Sequence, residues 1–150
     1  MSDTSQSISV SRVIAAEAQN LFDLVADPTL HHVIDGSGSV KGARGKTAKL
    51  ALGDKFSMSM RIGVPYLITN KVVEYDEGRL IAWAHIGGWR WRYQFDPSGE
   101  GTLVTETFDW SKSRAGAYLS LIKAASRNRA AMERTLARLD AFATNTSSSL

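Results

Sequence analysis

Glu106 is the side chain whose placement decides most about chemistry. Val104, Glu106, Phe108 and Trp110 alternate with Leu103, Thr105, Thr107 and Asp109, so in an extended strand the first four share a face. If Val104 and Phe108 turn inward, Glu106 turns inward with them. A carboxyl group in apolar surroundings has a raised pKa and can act as an acid or base. The competing reading reverses the face and leaves Glu106 solvated or paired with an arginine. His85 shares a face with Ile81 and Trp83 just before Gly87-Gly88; it is either a proton carrier at a cavity mouth or simply exposed. His31 and His32 are adjacent and diverge by about 100° on a helix, so they do not make one metal site. With no cysteine and three histidines, no spacing matches a zinc site. No metal and no cofactor is expected; nor does a nucleophile elbow, a Ser/His/Asp spacing or a dinucleotide fingerprint appear, so Ser and Thr nucleophiles have no support. Val40 to Thr47 differs from a phosphate-binding loop because Val40 stands where its first glycine belongs; it reads as an exposed hairpin.

The aromatic residues are grouped just as systematically. Trp91, Tyr93 and Phe95 alternate with Arg90, Arg92 and Gln94, giving one aromatic and one charged face, with the aromatic one inward as core or cavity wall. Trp and Arg on opposite faces do not make a base-stacking platform, so nucleic acid is not expected. Phe56, Met58 and Met60 alternate with serines and suit an adaptable pocket wall or a plain core. Tyr118, Ile122 and Asn128 fall on or near the apolar stripe of a helix, where Tyr118 offers a hydroxyl and Asn128 an amide to a ligand oxygen.

These side chains need elements to hold them. Arg114 to Phe142 reads as one helix of good helix formers, with Tyr118, Leu121, Ile122, Ala125, Met132, Leu136, Leu139 and Phe142 as its stripe. At roughly 27 residues it is about 40 Å long and needs a broad surface to cover it. Ile8 to Ile14 alternates as a first strand. Two short helices follow, Ala15 to Ala26 and Pro28 to about Val33. Weak strands near Val40 and over Ala48 to Leu52 precede strands over Phe56–Met60, Pro65–Tyr75, Arg79–His85, Trp89–Phe95 and Leu103–Trp110, joined by short turns. The expectation is α+β: a curved antiparallel sheet of six to seven strands wrapped around a long C-terminal helix, the helix-grip plan. Residues 1–143 make one ligand-binding domain and 144–150 a disordered tail.

Composition fits that reading. The chain has 150 residues, 43% hydrophobic and 22% charged, with net charge +3, which is ordinary for one globular domain and too mild to imply nucleic acid. Met1 to Ser7 is polar, and no stretch approaches the ~20 apolar residues of a membrane span. A cytoplasmic monomer or homodimer without stable membrane insertion is expected. Basic residues from Arg127 to Arg138 and Lys41 to Lys49 offer a face to an acidic partner, or are solvated.

The segments Ala26-Asp-Pro-Thr-Leu-His31, Asp35-Gly-Ser-Gly38, Leu52-Gly-Asp-Lys-Phe56, Arg79-Leu-Ile-Ala-Trp83 and Gly101-Thr-Leu-Val-Thr-Glu-Thr107, with the helix end at Leu136 to Leu139, resemble the helix-grip (SRPBCC) superfamily. Within it they are most similar to the bacterial polyketide cyclase/dehydrase and lipid-transport family. The resemblance spans about Ile8 to Phe142 and is a pattern of turns and core positions. It implies a deep apolar cavity between sheet and helix, used by relatives for lipids, polyketides and aromatic molecules, with His31 at its entrance near Asp35 or locking the turn there. Two functions follow. One is carriage of a hydrophobic small molecule, with Phe56, Met58, Met60, Trp83, Trp91, Tyr93, Phe95, Phe108, Tyr118, Ile122, Asn128 and His31 as the ligand-binding residues. The other is a cyclase or dehydratase in which Glu106, with His85 or Tyr93, moves protons.

Overall fold

The computed structural model describes residues 7–27, 30–34, 40–44, 49–62, 64–85, 89–111 and 118–148, with side chains at all of these except 32, 33, 40–44, 58–62, 64–68, 118–128 and 145–148. The elements run β1 (Ser7–Ile14), α1 (Ala18–Val25), α2 (His31–Ile34), β2 (Val40–Arg44), β3 (Lys55–Ile62), β4 (Val64–Asp76), β5 (Leu80–His85), β6 (Arg90–Ser98), β7 (Gly101–Asp109) and α3 (Tyr118–Ser148). The strands form one sheet in the order β1-β7-β6-β5-β4-β3-β2, antiparallel at every pairing. Consecutive strands lie side by side from β2 to β7. The exception is β1, which crosses to pair with β7 while α1 and α2 fill its connection. This is the expected helix-grip architecture, with seven strands.

Alternation decides the two faces. Val10 and Ile14 of β1, Val104, Glu106 and Phe108 of β7, Tyr93 and Phe95 of β6, and Ile81 and Trp83 of β5 are all buried and stand opposite one another in register. The outer face carries hydroxyls and charges, with Ser9 bonded to Thr107 at 2.8 Å, Ser11 to Thr105 at 3.1 Å and Ser57 to Thr69 at 3.0 Å. In β4 a bulge between Val72 and Glu74 resets the alternation. Val72 faces inward opposite Trp83, while Glu74 faces outward opposite Ala82 and Tyr75 faces in again against Phe22. Without that extra residue Glu74 would share the face of Val72.

Helix α3 turns Met132, Thr135, Leu136, Leu139 and Ala143 into the core and packs chiefly on β1, then on α2 and β7. Arg12 of β1 ties it down through a 2.8 Å ion pair with Asp140. Helix α1 buries Leu21, Phe22 and Val25, with Phe22 edge-on to Phe95 at 5.8 Å. Close approach is tightest at Gly101, where a Cβ would stand 2.3 Å from the Ile14 carbonyl oxygen. The start of β7 therefore meets the end of β1 only as glycine.

Most strand ends shift by one to three residues from expectation, and there are three further differences. Helix α1 begins at Ala18 rather than Ala15, because the chain leaves β1 through a tight turn in which the Ala16 amide donates to the Ile14 carbonyl at 2.9 Å. Residues 49–54 are not a strand. Instead the Leu50 amide donates to the Ala26 carbonyl at 2.8 Å, and Gly53, at φ +85°, turns the chain into β3. Helix α3 runs to Ser148, past Phe142 and into the stretch expected to fray. The Thr144 hydroxyl is absorbed by the Asp140 carbonyl one turn back at 2.7 Å, so that residue continues the helix rather than ending it. Pro28, at the expected start of the second helix, lies outside the described residues, and among the described residues no helix is long and apolar enough to cross a membrane.

Candidate functional site

The central register of the sheet sets side by side the residues that alternation had pointed inward. Trp83 stands opposite Trp91, and Trp91 opposite Phe108; one step along, Ile81 stands opposite Tyr93, and Tyr93 opposite Glu106. Trp83 and Tyr93 rings lie 5.6 Å apart, Trp91 and Phe108 4.6 Å, and Phe108 and Trp110 5.6 Å. Trp91 is half-buried, whereas Trp83, Tyr93, Phe108 and Trp110 are buried.

Helix α2 adds a histidine from above the sheet. The His31 ring stacks on Trp83 at 5.0 Å and 24°, and Phe56 of β3 stands edge-on to both, 5.6 Å from His31 and 5.4 Å from Trp83. His31 Nε2 is 2.8 Å from the Val25 carbonyl, which only accepts, so Nε2 carries a hydrogen and donates it. That bond fastens α2 to the end of α1 while the ring face covers the tryptophan. His31 thus locks α2 back to α1, while the turn after α2 that it was expected to hold lies outside the described residues; its ring joins the aromatic cluster. Asp35, the neighbour expected beside it, lies outside the described residues.

Glu106 is turned inward and only 3% exposed. The Tyr93 hydroxyl donates to its Oε2 at 2.9 Å. A buried carboxyl group is tolerated where donors meet its oxygens, and Tyr93 supplies one of them. A phenol and a carboxyl group in hydrogen-bond contact can relay a proton to a molecule held against the same wall. Trp110, on the same face, is 5% exposed, and its Nε1 is enclosed without an acceptor among the described residues. Leaving such a donor unanswered costs roughly 1–3 kcal/mol. Trp110 is absent from the sequence-based set of ligand residues, although the Val104–Glu106–Phe108 alternation had already put it on the face that the fold turns inward.

His85 is half-buried and stacks flat on Trp89, rings 4.3 Å apart and 5° from parallel, at the end of the β5–β6 pair. Burial depresses its pKa below the ordinary histidine value. It stands opposite the buried Asn70 in register, one strand step beyond Trp83 and apart from the Tyr93–Glu106 pair. Phe95 falls away from the wall, fully buried beneath α1 against Phe22. Side chains of Met58, Met60, Tyr118, Ile122 and Asn128 lie outside the described residues.

The charged face of β6 is separate from all of this. Arg90 and Arg92 both reach Glu74 on the outer face, each at 2.7 Å. Arg92, then Arg90, holds the Glu74 carboxyl below its usual range. Among the described residues no cluster of histidine and carboxylate side chains is arranged to hold a metal ion. An open groove of about 480 Å³ runs between Ala15–Ala18 and the β6–β7 turn at Pro97–Thr102. It carries no aromatic side chain and lies at the far end of β6 and β7 from Trp91.

With this geometry in view, comparison with known proteins is informative. Residues 5–143 match the family model described as polyketide cyclase / dehydrase and lipid transport. An uncharacterised protein of Mycobacterium tuberculosis is 43% identical over 140 residues, covering 88% of this chain and 62% of that protein; the chain thus spans less than two thirds of the length of the curated relatives it matches. Among solved structures, the di-domain ARO/CYC StfQ of the steffimycin biosynthetic pathway superposes with a TM-score of 0.74 at 14% identity, over 95% of this chain and 52% of that one. A protein of Nitrosomonas europaea superposes with a TM-score of 0.73 at 12% identity, over 98% and 99%. At these identities the structural likenesses establish the fold.

Proposed function

We propose, from the premise that the chain belongs to the polyketide cyclase / dehydrase and lipid transport family, that this domain binds and carries an apolar small molecule: a lipid, a polyketide or an aromatic metabolite. The ligand lies between the inner face of the sheet and α3. The observation that carries this reading is the aromatic wall of His31, Phe56, Trp83, Tyr93 and Phe108, drawn from α2, β3, β5, β6 and β7. Apolar contact at about 25 cal/mol per Å² supplies the affinity before the costs of association are subtracted, and the few inward polar groups set orientation. Carriage needs no acid or base. The protein works in the cytoplasm as a monomer or homodimer, without nucleic acid.

One observation favours a second reading. The contact between Tyr93 and Glu106 is the acid/base pairing that a cyclase or dehydratase requires, with the wall folding a reactive chain against it. Native mass spectrometry of the protein purified from its own host, followed by denaturing extraction, tests the first reading. A co-purifying apolar molecule supports carriage and names the chemical class to assay for turnover. Glu106→Gln then separates the two: it abolishes turnover by an enzyme and only shifts affinity in a carrier. If no apolar compound co-purifies and none of a panel of lipids and aromatic polyketones alters tryptophan fluorescence, the binding reading fails.

A further inference from the structure

Trp110 directly follows β7, two residues beyond Phe108 and four beyond Glu106 on the same inward face, with its ring 5.6 Å from Phe108 at 38°. Phe108 is itself 4.6 Å from Trp91. The indole nitrogen only donates, and buried donors in folded proteins are as a rule answered. Here Nε1 is enclosed and meets no acceptor among the described residues, although the residue is 5% exposed. Nothing in the described residues answers it, which leaves the donor open to an acceptor brought by a ligand. A buried water settles where about two to four polar partners converge, but the ring against Trp110 is that of Phe108, with Trp91 behind it.

Resting on the binding reading above, we infer that the Trp110 indole N–H is a specificity-determining donor for a neutral oxygen acceptor, a ketone or ester carbonyl, on an apolar ligand of aromatic shape. The planar shape follows from the neighbouring rings, whose faces and edges pair best with another π-system. The neutrality follows from where the cations are. Among the described side chains of the sheet, Arg90 and Arg92 are held by Glu74 on the outer face, Arg12 by Asp140, Arg79 faces Asp96, and Lys55 and Lys71 are exposed. None is offered to a ligand carboxylate on the inner face, where Glu106 already stands. An indole N–H answers a carbonyl without bringing a charge.

The test compares two probes of nearly one shape, β-acetylnaphthalene and β-ethylnaphthalene, on wild type and on Trp110→Phe, which deletes the donor and keeps a ring. Binding is followed by calorimetry and by the indole signals in proton–nitrogen correlation NMR, with Trp110 assigned through its contact with Phe108. Wild type is expected to favour the ketone about tenfold, roughly 1.4 kcal/mol, and the ketone alone moves the Trp110 N–H signal downfield. Trp110→Phe binds the two probes equally. Equal binding by wild type without a downfield shift overturns the inference and leaves the binding reading standing, as does a ketone preference that survives Trp110→Phe. If neither probe binds wild type, an aromatic-shaped ligand is ruled out and the inference falls; whether the binding reading falls with it is decided by the lipid and polyketone panel. Should the variant not fold, the wild-type comparison with its assigned signal decides alone.

Discussion

The Tyr93 hydroxyl is a single donor with a large effect, because its acceptor is a carboxyl group that is almost wholly removed from water. Tyr93→Phe keeps the ring on Trp83 and deletes only the hydroxyl, so Glu106 Oε2 loses that donor inside an apolar wall. Stability should fall by about 1–3 kcal/mol, the range for taking one partner from a buried polar group. Combining Tyr93→Phe with Glu106→Leu should recover part of that loss, since removing both partners of a buried polar pair costs less than removing one. Urea unfolding of the four members of the cycle measures this. An unchanged slope with a shifted midpoint marks a stability effect alone, and additive losses would show that the two residues act independently. The sequence narrowed Glu106 to two choices, since strict alternation tied it to the face of Val104, Phe108 and Trp110; only its burial in the fold decided that this face is the inward one. Its partner was less legible still: Tyr93 was one candidate beside His85, and strand register, which no local pattern states, chose Tyr93.

At the scale of elements, α1 is held to the sheet by a polar latch over the Phe22 core. Lys49 pairs with Asp23 of α1 at 3.0 Å and with Glu77 in the β4–β5 turn. Gln19 of α1 and the Tyr75 hydroxyl donate to Glu77 as well. With Lys49 first and Tyr75 and Gln19 after it, these donors bring the Glu77 carboxyl from 4.5 down to about 2. A depressed carboxyl pKa gives stability that is present above the unfolded value and lost as pH falls through the folded one. Wild type should therefore exceed Glu77→Gln in stability at neutral pH, and the gap should close between pH 4.5 and about 2. The gap should also shrink in high salt, because the groups are exposed. Thermal melts of both proteins across that range check the sign; a gap that widens on acidification refutes it. Neither this latch nor the β4 bulge is visible in the sequence, whereas the strands and the terminal helix are. Alternation and helical spacing are local signals, but the latch joins residues that are distant in the chain. The bulge depends on which neighbour β4 pairs with. The mistaken strand at Ala48–Leu52 has the same cause: Leu50 is buried by a bond to the end of α1, and a buried apolar residue in a short run looks like a strand until its partner is known.

For the whole molecule, the decisive fact is that the chain closes on its last elements. β1 pairs with β7 from Ser7 opposite Asp109 to Ile14 opposite Thr102, and α3 then lies across that pair. Pairings this distant in sequence are slow to form. Leu139 tests how far the parts depend on one another. It is 0% exposed in α3, the helix that packs on β1. Leu139→Ala should cost about 2–5 kcal/mol, the range for emptying a leucine site in a packed core. If sheet and helix are one cooperative unit, tryptophan fluorescence, which reports chiefly on the β5–β7 wall, and far-ultraviolet circular dichroism, dominated by α3, will shift together and keep a common midpoint. Two separated midpoints, with the helical signal lost first, would mean that α3 detaches from a sheet that stays folded. Coincident midpoints would make the wall and the helix a single structure, in which a ligand held between them stabilises both at once.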